Sequence, residues 1–211
     1  VGIAHDGDAD RVMLMDSEGN EIDGDMVEAV CAIDLKQRGL LAGDTAVSTV
    51  MANLGLTHAL RDAGINLIQT KVGDRYVLEA MREGGYVIGG EQSGHTNFLE
   101  HTSTGDGLVT ALQFLAACKR AGKSAGEAAK AMTRFPQTLI NVRVKDKHAA
   151  DGNQAIADAV AAAEAALGED GRVLLRPSGT EPVVRVMVEA MDQQAAEQHA
   201  KAIAEVVERE I

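Results

Sequence analysis

Aromatic side chains are almost missing from this chain: no Trp, two Tyr and three Phe, 2% of 211 residues. Single-stranded nucleic acid is gripped by stacking bases on exposed rings, so that class of partner loses its main contact. Net positive charge is missing too. Twenty Lys and Arg against 32 Asp and Glu leave a formal charge of −12, which argues against a nucleic-acid backbone or an anionic membrane as partner but leaves room for a local basic site. Cysteine is limited to Cys31 and Cys118, each in an apolar, helix-like run. Buried free thiols are therefore expected, and without a C-x-x-C pair a cysteine zinc site is excluded. No uncharged apolar stretch reaches the roughly 18 residues of a membrane span, and no basic leader with an apolar core is present. The expectation is a cytoplasmic protein. The strand-like opening Val1-Gly2-Ile3-Ala4, with no initiator Met and no turn before it, reads as the start of a piece cut from a longer protein.

What remains is 45% hydrophobic and 25% charged, the balance of a globular chain whose core is built from Ala, Val, Leu, Ile and Met. Val1 to Ala4 and Val12 to Met15 read as strands around an acidic loop, and Asp25 reads as the N-cap of a helix reaching Arg38. Strands are expected at Thr45–Val50, Ile65–Thr70 and Tyr86–Ile88. Helices end at Ala63 and run over Tyr76–Glu83 and Gly107–Ala121. This alternation implies a parallel, βαβ-type sheet. Between Met132 and Gln137 the pattern changes to strand (Thr138–Val144), Ala-rich helix (Asn153–Leu167), two hairpin strands (Arg172–Leu175, Val183–Glu189) and a last helix from Gln193. That order describes a separate, small α+β domain.

Asp6, Asp8 and Asp10 alternate with Gly7 and Ala9. Three carboxylates in one tight loop repel one another unless a hard divalent cation sits among them. An EF-hand loop also opens D-x-D-x-D, but needs Gly at position six and Glu at twelve; counted from Asp6 these are Arg11 and Ser17. An arginine directly after the ligands points instead to an anion, such as a phosphate, sharing the metal site.

Three further loops carry chemistry. Gly90-Glu91-Gln92-Ser93-Gly94-His95 leaves the carboxyl end of a strand, where open α/β sheets bind ligands. Glu91 and Ser93 suit sugar hydroxyls, while His95 suits a phosphate or a proton transfer. Lys71-Val72-Gly73-Asp74-Arg75 opens a helix, so its amides and two cations suit an anion; the plainer reading is an Asp74 N-cap with solvated neighbours. Arg176-Pro177-Ser178-Gly179-Thr180-Glu181-Pro182 joins the hairpin strands. Hydroxyls, a flexible glycine and Arg176, with Arg185 on the next strand, describe a phosphate cradle.

The ordered motifs DGDADR, KVGDR, GEQSGH and RPSGTEP, spread over nearly the whole chain, resemble the α-D-phosphohexomutases, and KVGDRYV and GEQSGH are most similar to the members acting on glucosamine phosphate. The resemblance implies an α/β/α domain of phosphohexomutase type with a parallel-type sheet, followed by a small α+β, TATA-binding-protein-like C-terminal domain. Residues 1–23 would end a second α/β domain and carry the metal loop, 24–134 would be the third domain with the sugar loop, and 135–211 the phosphate-binding C-terminal domain.

It also implies an isomerase of amino-sugar metabolism supplying cell-wall precursors. Glucosamine-6-phosphate and glucosamine-1-phosphate would interconvert through a phosphoserine enzyme and a glucosamine-1,6-bisphosphate intermediate. One Mg²⁺ would lie among Asp6, Asp8, Asp10 and the phosphoserine. Arg11, Lys71 and His95 would act catalytically, with the general base unassigned. Gly73, Asp74, Arg75, Glu91, Ser93 and His95 would bind substrate, and Arg176, Ser178, Gly179, Thr180 and Arg185 the phosphate that is not reacting. The family's nucleophilic serine lies in a Ser-His-Asn run, which this chain does not contain. The isolated chain is therefore expected to lack turnover and to need N-terminal domains of the same protein; a homodimer stays open. Two alternatives remain: a family member acting on mannose or glucose phosphates, and a non-catalytic phosphosugar-binding fragment.

Overall fold

The computed structural model describes all 211 residues. They form two compact units, Val1–Arg134 and Phe135–Ile211. In the first, β1 (Gly2–His5), β2 (Val12–Met15) and β3 (Glu21–Ile22) make an antiparallel sheet in sequence order. Helix α1 (Gly24–Gln37) follows, then β4 (Thr45–Thr49), α2 (Leu54–Asp62), β5 (Asn66–Thr70), α3 (Asp74–Gly84), β6 (Ile88–Gly90) and β7 (Thr96–Phe98). The second sheet has the order β5-β4-β6-β7. Its first three strands are parallel, and β7 runs back along β6. Helices α4 (Gly107–Ala121) and α5 (Ala125–Ala129) close the unit.

The helix starts are written in their caps. Asp23 accepts from the Met26 amide, Asn53 from Gly55 and Asp106 from Val109. Ser124 and Glu127 form a reciprocal capping box. Each such cap is worth about 1 kcal/mol. Asp25, which the pattern nominates as the first cap, lies inside α1 instead. Its buried carboxylate accepts from the Asn53 amide at 2.7 Å and ties α1 to the start of α2. The third strand is Ile88–Gly90 rather than Tyr86–Ile88, and β3, β7 and α5 were not expected at all. Two residues make β3 and three make β7, too few for alternation to be legible. Both cysteines are buried free thiols.

Around this frame Val12, Leu14, Ile22, Leu56, Leu60 and Phe114 form one continuous core. Its fully buried members rely on branched aliphatics because rings are scarce.

The second unit runs β8 (Gln137–Arg143), α6 (Gln154–Leu167), β9 (Gly171–Pro177), β10 (Val183–Ala190), α7 (Gln193–Glu210). Strand β10 is central, antiparallel to both β8 and β9. Val184, Val186 and Val188 pack with α6 and α7 into a second core. Their period of two leaves Arg185, Met187 and Glu189 on the other face. There the wholly buried Glu189 is held by Arg172 at 2.8 Å.

Candidate functional site

The acidic loop bends on Ala9, whose backbone is left-handed at φ 60° without being glycine. Such a conformation costs on the order of 1 kcal/mol or more and persists only where surroundings enforce it. Here the Ala9 amide donates to Asp6 O, and the Ala9 carbonyl accepts from the Gly107 amide at the start of α4. The bend brings one carboxylate oxygen from each of Asp6, Asp8 and Asp10 within 4.8 Å of one another. Arg11 Nε reaches Asp6 Oδ2 at 2.6 Å and Asp10 Oδ1 at 3.6 Å. Burial works to raise the Asp6 pKa, but hydrogen bonds from the Arg11 backbone and side chain outweigh it and hold the carboxyl below its ordinary value. An all-oxygen, triply anionic set suits a hard cation such as Mg²⁺, and the buried Oδ1 of Asp10 has no hydrogen-bond donor in the protein.

Histidine links this loop to the next two. The His95 ring is nearly buried, with Nε2 3.4 Å from Asp10 Oδ2 and Nδ1 3.0 Å from Asp74 Oδ1. Asp74 opens α3 as its first helical residue, after Gly73 as cap, so its carboxylate is free to accept from Asn97 Nδ2 at 2.7 Å as well as face His95. Asp74 is thus not an N-cap. The Gly73 amide donates to Glu91 Oε1 at 2.9 Å, and Ser93 Oγ lies 3.5 Å from Glu91 Oε2. Arg11 and His95 are themselves bridged as antiparallel backbone, and the Val12 amide donates to Gly94 O. Asp6–Arg11, Gly73–Asp74 and Glu91–His95 thereby become one surface.

A cleft of about 380 Å³ beside that surface is lined by Glu91, Gln92 and Ser93 together with Thr49, Asp23 and Arg134. Asp23 caps α1 with Oδ1, while Oδ2 faces Gln92 Nε2 at 3.4 Å and Arg134 at 3.6 Å. Thr49, Asp23 and Arg134 escape a reading of the sequence. The signal for Asp23 was its position before α1, hidden because Asp25 offers the same chemistry two residues on. Nothing marked Arg134 in an inter-domain stretch.

In the second unit, the Ser178 amide closes the hairpin on Val183 O at 2.9 Å. Its buried hydroxyl accepts from the Glu181 amide and lies 3.5 Å from Arg185 Nη2. Arg185 also pairs with Glu181 at 3.3 Å, and its buried Nε has no acceptor in the protein. Arg176 lies directly across from Arg185 in the ladder. Two guanidiniums, a hydroxyl and the Gly179-Thr180 backbone therefore share one end of the sheet.

Two nominated cations take no part in these contacts. Arg75 pairs with Glu79 at 2.8 Å one turn along α3 and is largely exposed, and Lys71 is exposed.

Residues 23–135 match the family description "Phosphoglucomutase/phosphomannomutase, alpha/beta/alpha domain III", and residues 139–206 match "Phosphoglucomutase/phosphomannomutase, C-terminal domain". The chain belongs to the phosphoglucomutase/phosphomannomutase family. Among curated relatives it is similar to the phosphoglucosamine mutase of Frankia alni (strain DSM 45986 / CECT 9034 / ACN14a), 59% identical over 98% of this chain and 46% of the relative. The phosphoglucosamine mutase of Arthrobacter sp. (strain FB24) is 56% identical over 100% of this chain and 47% of its own length. The chain thus spans about half the length of the curated relatives it matches. Among solved structures, the N-acetylphosphoglucosamine mutase of Aspergillus fumigatus, in complex with GlcNAc-6P and magnesium, has the same fold. That likeness has a TM-score of 0.81 at 21% identity, over 97% of this chain and 51% of that one. No helix of the chain is long and apolar enough to cross a membrane.

Proposed function

We propose that this chain supplies the metal, sugar and phosphate-binding parts of a mutase that interconverts glucosamine-6-phosphate and glucosamine-1-phosphate through a bisphosphate intermediate and a phosphoserine carried elsewhere in the full-length protein. The observation that carries the reading is the convergence of the acidic loop, the 73–74 turn and the 91–95 loop through His95 and Glu91.

Asp6, Asp8 and Asp10 would hold one Mg²⁺, which when bound offsets negative charge as a phosphoryl group passes in line between two oxygens. Arg11, already oriented by Asp6, lies where it can meet the same charge. Glu91 and Ser93 present acceptor and hydroxyl to adjacent sugar hydroxyls. This contact can form in either orientation of a sugar that must turn over between two transfers. His95, between Asp10 and Asp74, is placed to hold a proton or a phosphate oxygen. In the second unit, Arg176, Ser178, Gly179, Thr180 and Arg185 grip the phosphate that is not reacting. Lys71 would reach substrate only by leaving solvent, and Arg75 only by leaving Glu79.

The full-length protein should turn over glucosamine-6-phosphate faster than glucose-6-phosphate or mannose-6-phosphate. Asp8→Asn should weaken Mg²⁺ at least ~10-fold in titration calorimetry. Faster turnover of mannose or glucose phosphate would transfer the reading to those sugars. Binding of all three without turnover would leave a phosphosugar-binding protein.

A further inference from the structure

Lys147 lies in the turn after β8, outside every loop nominated from sequence, yet its Nζ donates to two consecutive carbonyls of the hairpin loop, Ser178 O at 2.6 Å and Gly179 O at 3.2 Å. A peptide unit is planar, and in its trans form the C=O and N–H point in opposite directions. An ammonium group that holds the carbonyls of 178 and 179 on one side therefore turns the N–H groups of Gly179 and Thr180 to the other. Those two amides donate to no acceptor in the protein, whereas the neighbouring Ser178 amide is committed to Val183 O. Adjacent backbone N–H groups facing one way form an anion-binding nest, and a positive charge on their carbonyl ends polarises both donors further.

We propose that Lys147 is a positioning residue for this loop, fixing and polarising the 178–179 and 179–180 peptides so that their amides receive a phosphate oxygen; this rests on the reading of the loop as a phosphate grip. A lysine that only satisfied two carbonyls would be poorly placed here. Lys147 at the Ser178 carbonyl and Arg185 at the Ser178 hydroxyl bring like charges to a single residue, with Arg176 opposite Arg185 in the ladder. Glu181, 3.3 Å from Arg185, offsets that guanidinium, but no carboxylate pairs with Lys147 or Arg176, so an incoming anion would relieve the remaining repulsion.

The test is a titration of the ¹⁵N-labelled 211-residue chain with inorganic phosphate, following the Gly179 and Thr180 amide resonances. In the wild type both should shift and saturate. Lys147→Met should weaken the apparent affinity about tenfold, the loss of one charge-assisted contact, with the thermal midpoint little changed, and Lys147→Arg should recover most of it. If Lys147→Met does not fold, the neutral Lys147→Gln takes its place. Wild-type amides that ignore phosphate would overturn the phosphate grip and this inference with it. Saturating wild-type shifts with unchanged affinity in the neutral variant would overturn the role of Lys147 alone and leave the grip standing.

Discussion

Glu28 is wholly buried in the first unit, and neither of its carboxylate oxygens has a hydrogen-bond partner in the protein. It sits inside α1, wholly buried, with the Asp25 carboxylate one turn earlier and the Ser48 hydroxyl of β4 facing it. Burial first, and repulsion by Asp25 second, push its pKa well above the ordinary glutamate value of 4.5. The sign of the consequence is fixed by proton counting. Below that ordinary value the carboxyl is protonated whether the chain is folded or not, and stability is unaffected. As pH rises above it, the unfolded chain releases a proton that the folded chain keeps, so stability falls until the folded pKa is passed. Urea unfolding between pH 5 and 8 should show this decline, and Glu28→Gln should flatten it and raise stability at the upper end. Parallel slopes for the two proteins would mean that another group is responsible. His95 carries a related lesson. As a lone histidine in a sequence it has no partner, and only folding places it between Asp10 and Asp74.

Among the elements, the start of α1 is the one on which the 91–95 loop rests. The Gly24 amide donates to Gln92 O at 3.1 Å. A Cβ at Gly24 would overlap the carbonyl oxygen of Glu91 and sit 2.8 Å from the Gly94 nitrogen. Neither neighbour is the end of a flexible side chain, so the loop itself would have to move. Gly24→Ala should therefore cost about 1–3 kcal/mol of stability, as overpacking does, measured by denaturant unfolding. It should also weaken glucosamine-6-phosphate binding by displacing Glu91 and Ser93. Unchanged binding with full stability would show that α1 does not set the loop. The neighbouring Asp23, capping α1 while facing Gln92 and Arg134, belongs to the same junction. A sequence read in isolated segments places Asp23 before a helix and Gln92 in a loop, with no link between them.

At the scale of the whole molecule, the two units have separate cores, one centred on Leu14, Leu56 and Phe114, the other on the β10 valines and α7. Each core carries its own candidate loops: the 6–11, 73–74 and 91–95 loops on the first, the 176–182 loop on the second. The chain has three carboxylates close enough to share a cation, and hydroxyl and guanidinium donors on the 176–185 hairpin, but no Ser-His-Asn run, which the proposed phosphoryl transfer would need. The 211-residue chain alone should thus show no mutase turnover, even with Mg²⁺ and glucosamine-1,6-bisphosphate supplied. Measurable, protein-dependent formation of glucosamine-1-phosphate by the purified chain would refute this.

What the sequence determined alone was whatever depends on neighbours along the chain: the longer helices and strands, whose periodicity reports burial, and the loops whose residue types announce carboxylate, hydroxyl or guanidinium chemistry. The acidic loop is of this kind, since Asp6, Asp8 and Asp10 converge through a bend of five residues. The rest was decided by tertiary structure. The Asp10–His95–Asp74 chain, the Gly73–Glu91 contact, the Asp23–Arg134 pair and the Lys147 grip on Ser178 each join residues far apart in sequence. Distances between such residues follow from how sheets and helices pack, and local propensity holds no information about them. Arg75 is the opposite case: it pairs with Glu79 because a four-residue spacing puts both on one helix face, a partner that spacing along the chain supplies without any tertiary packing.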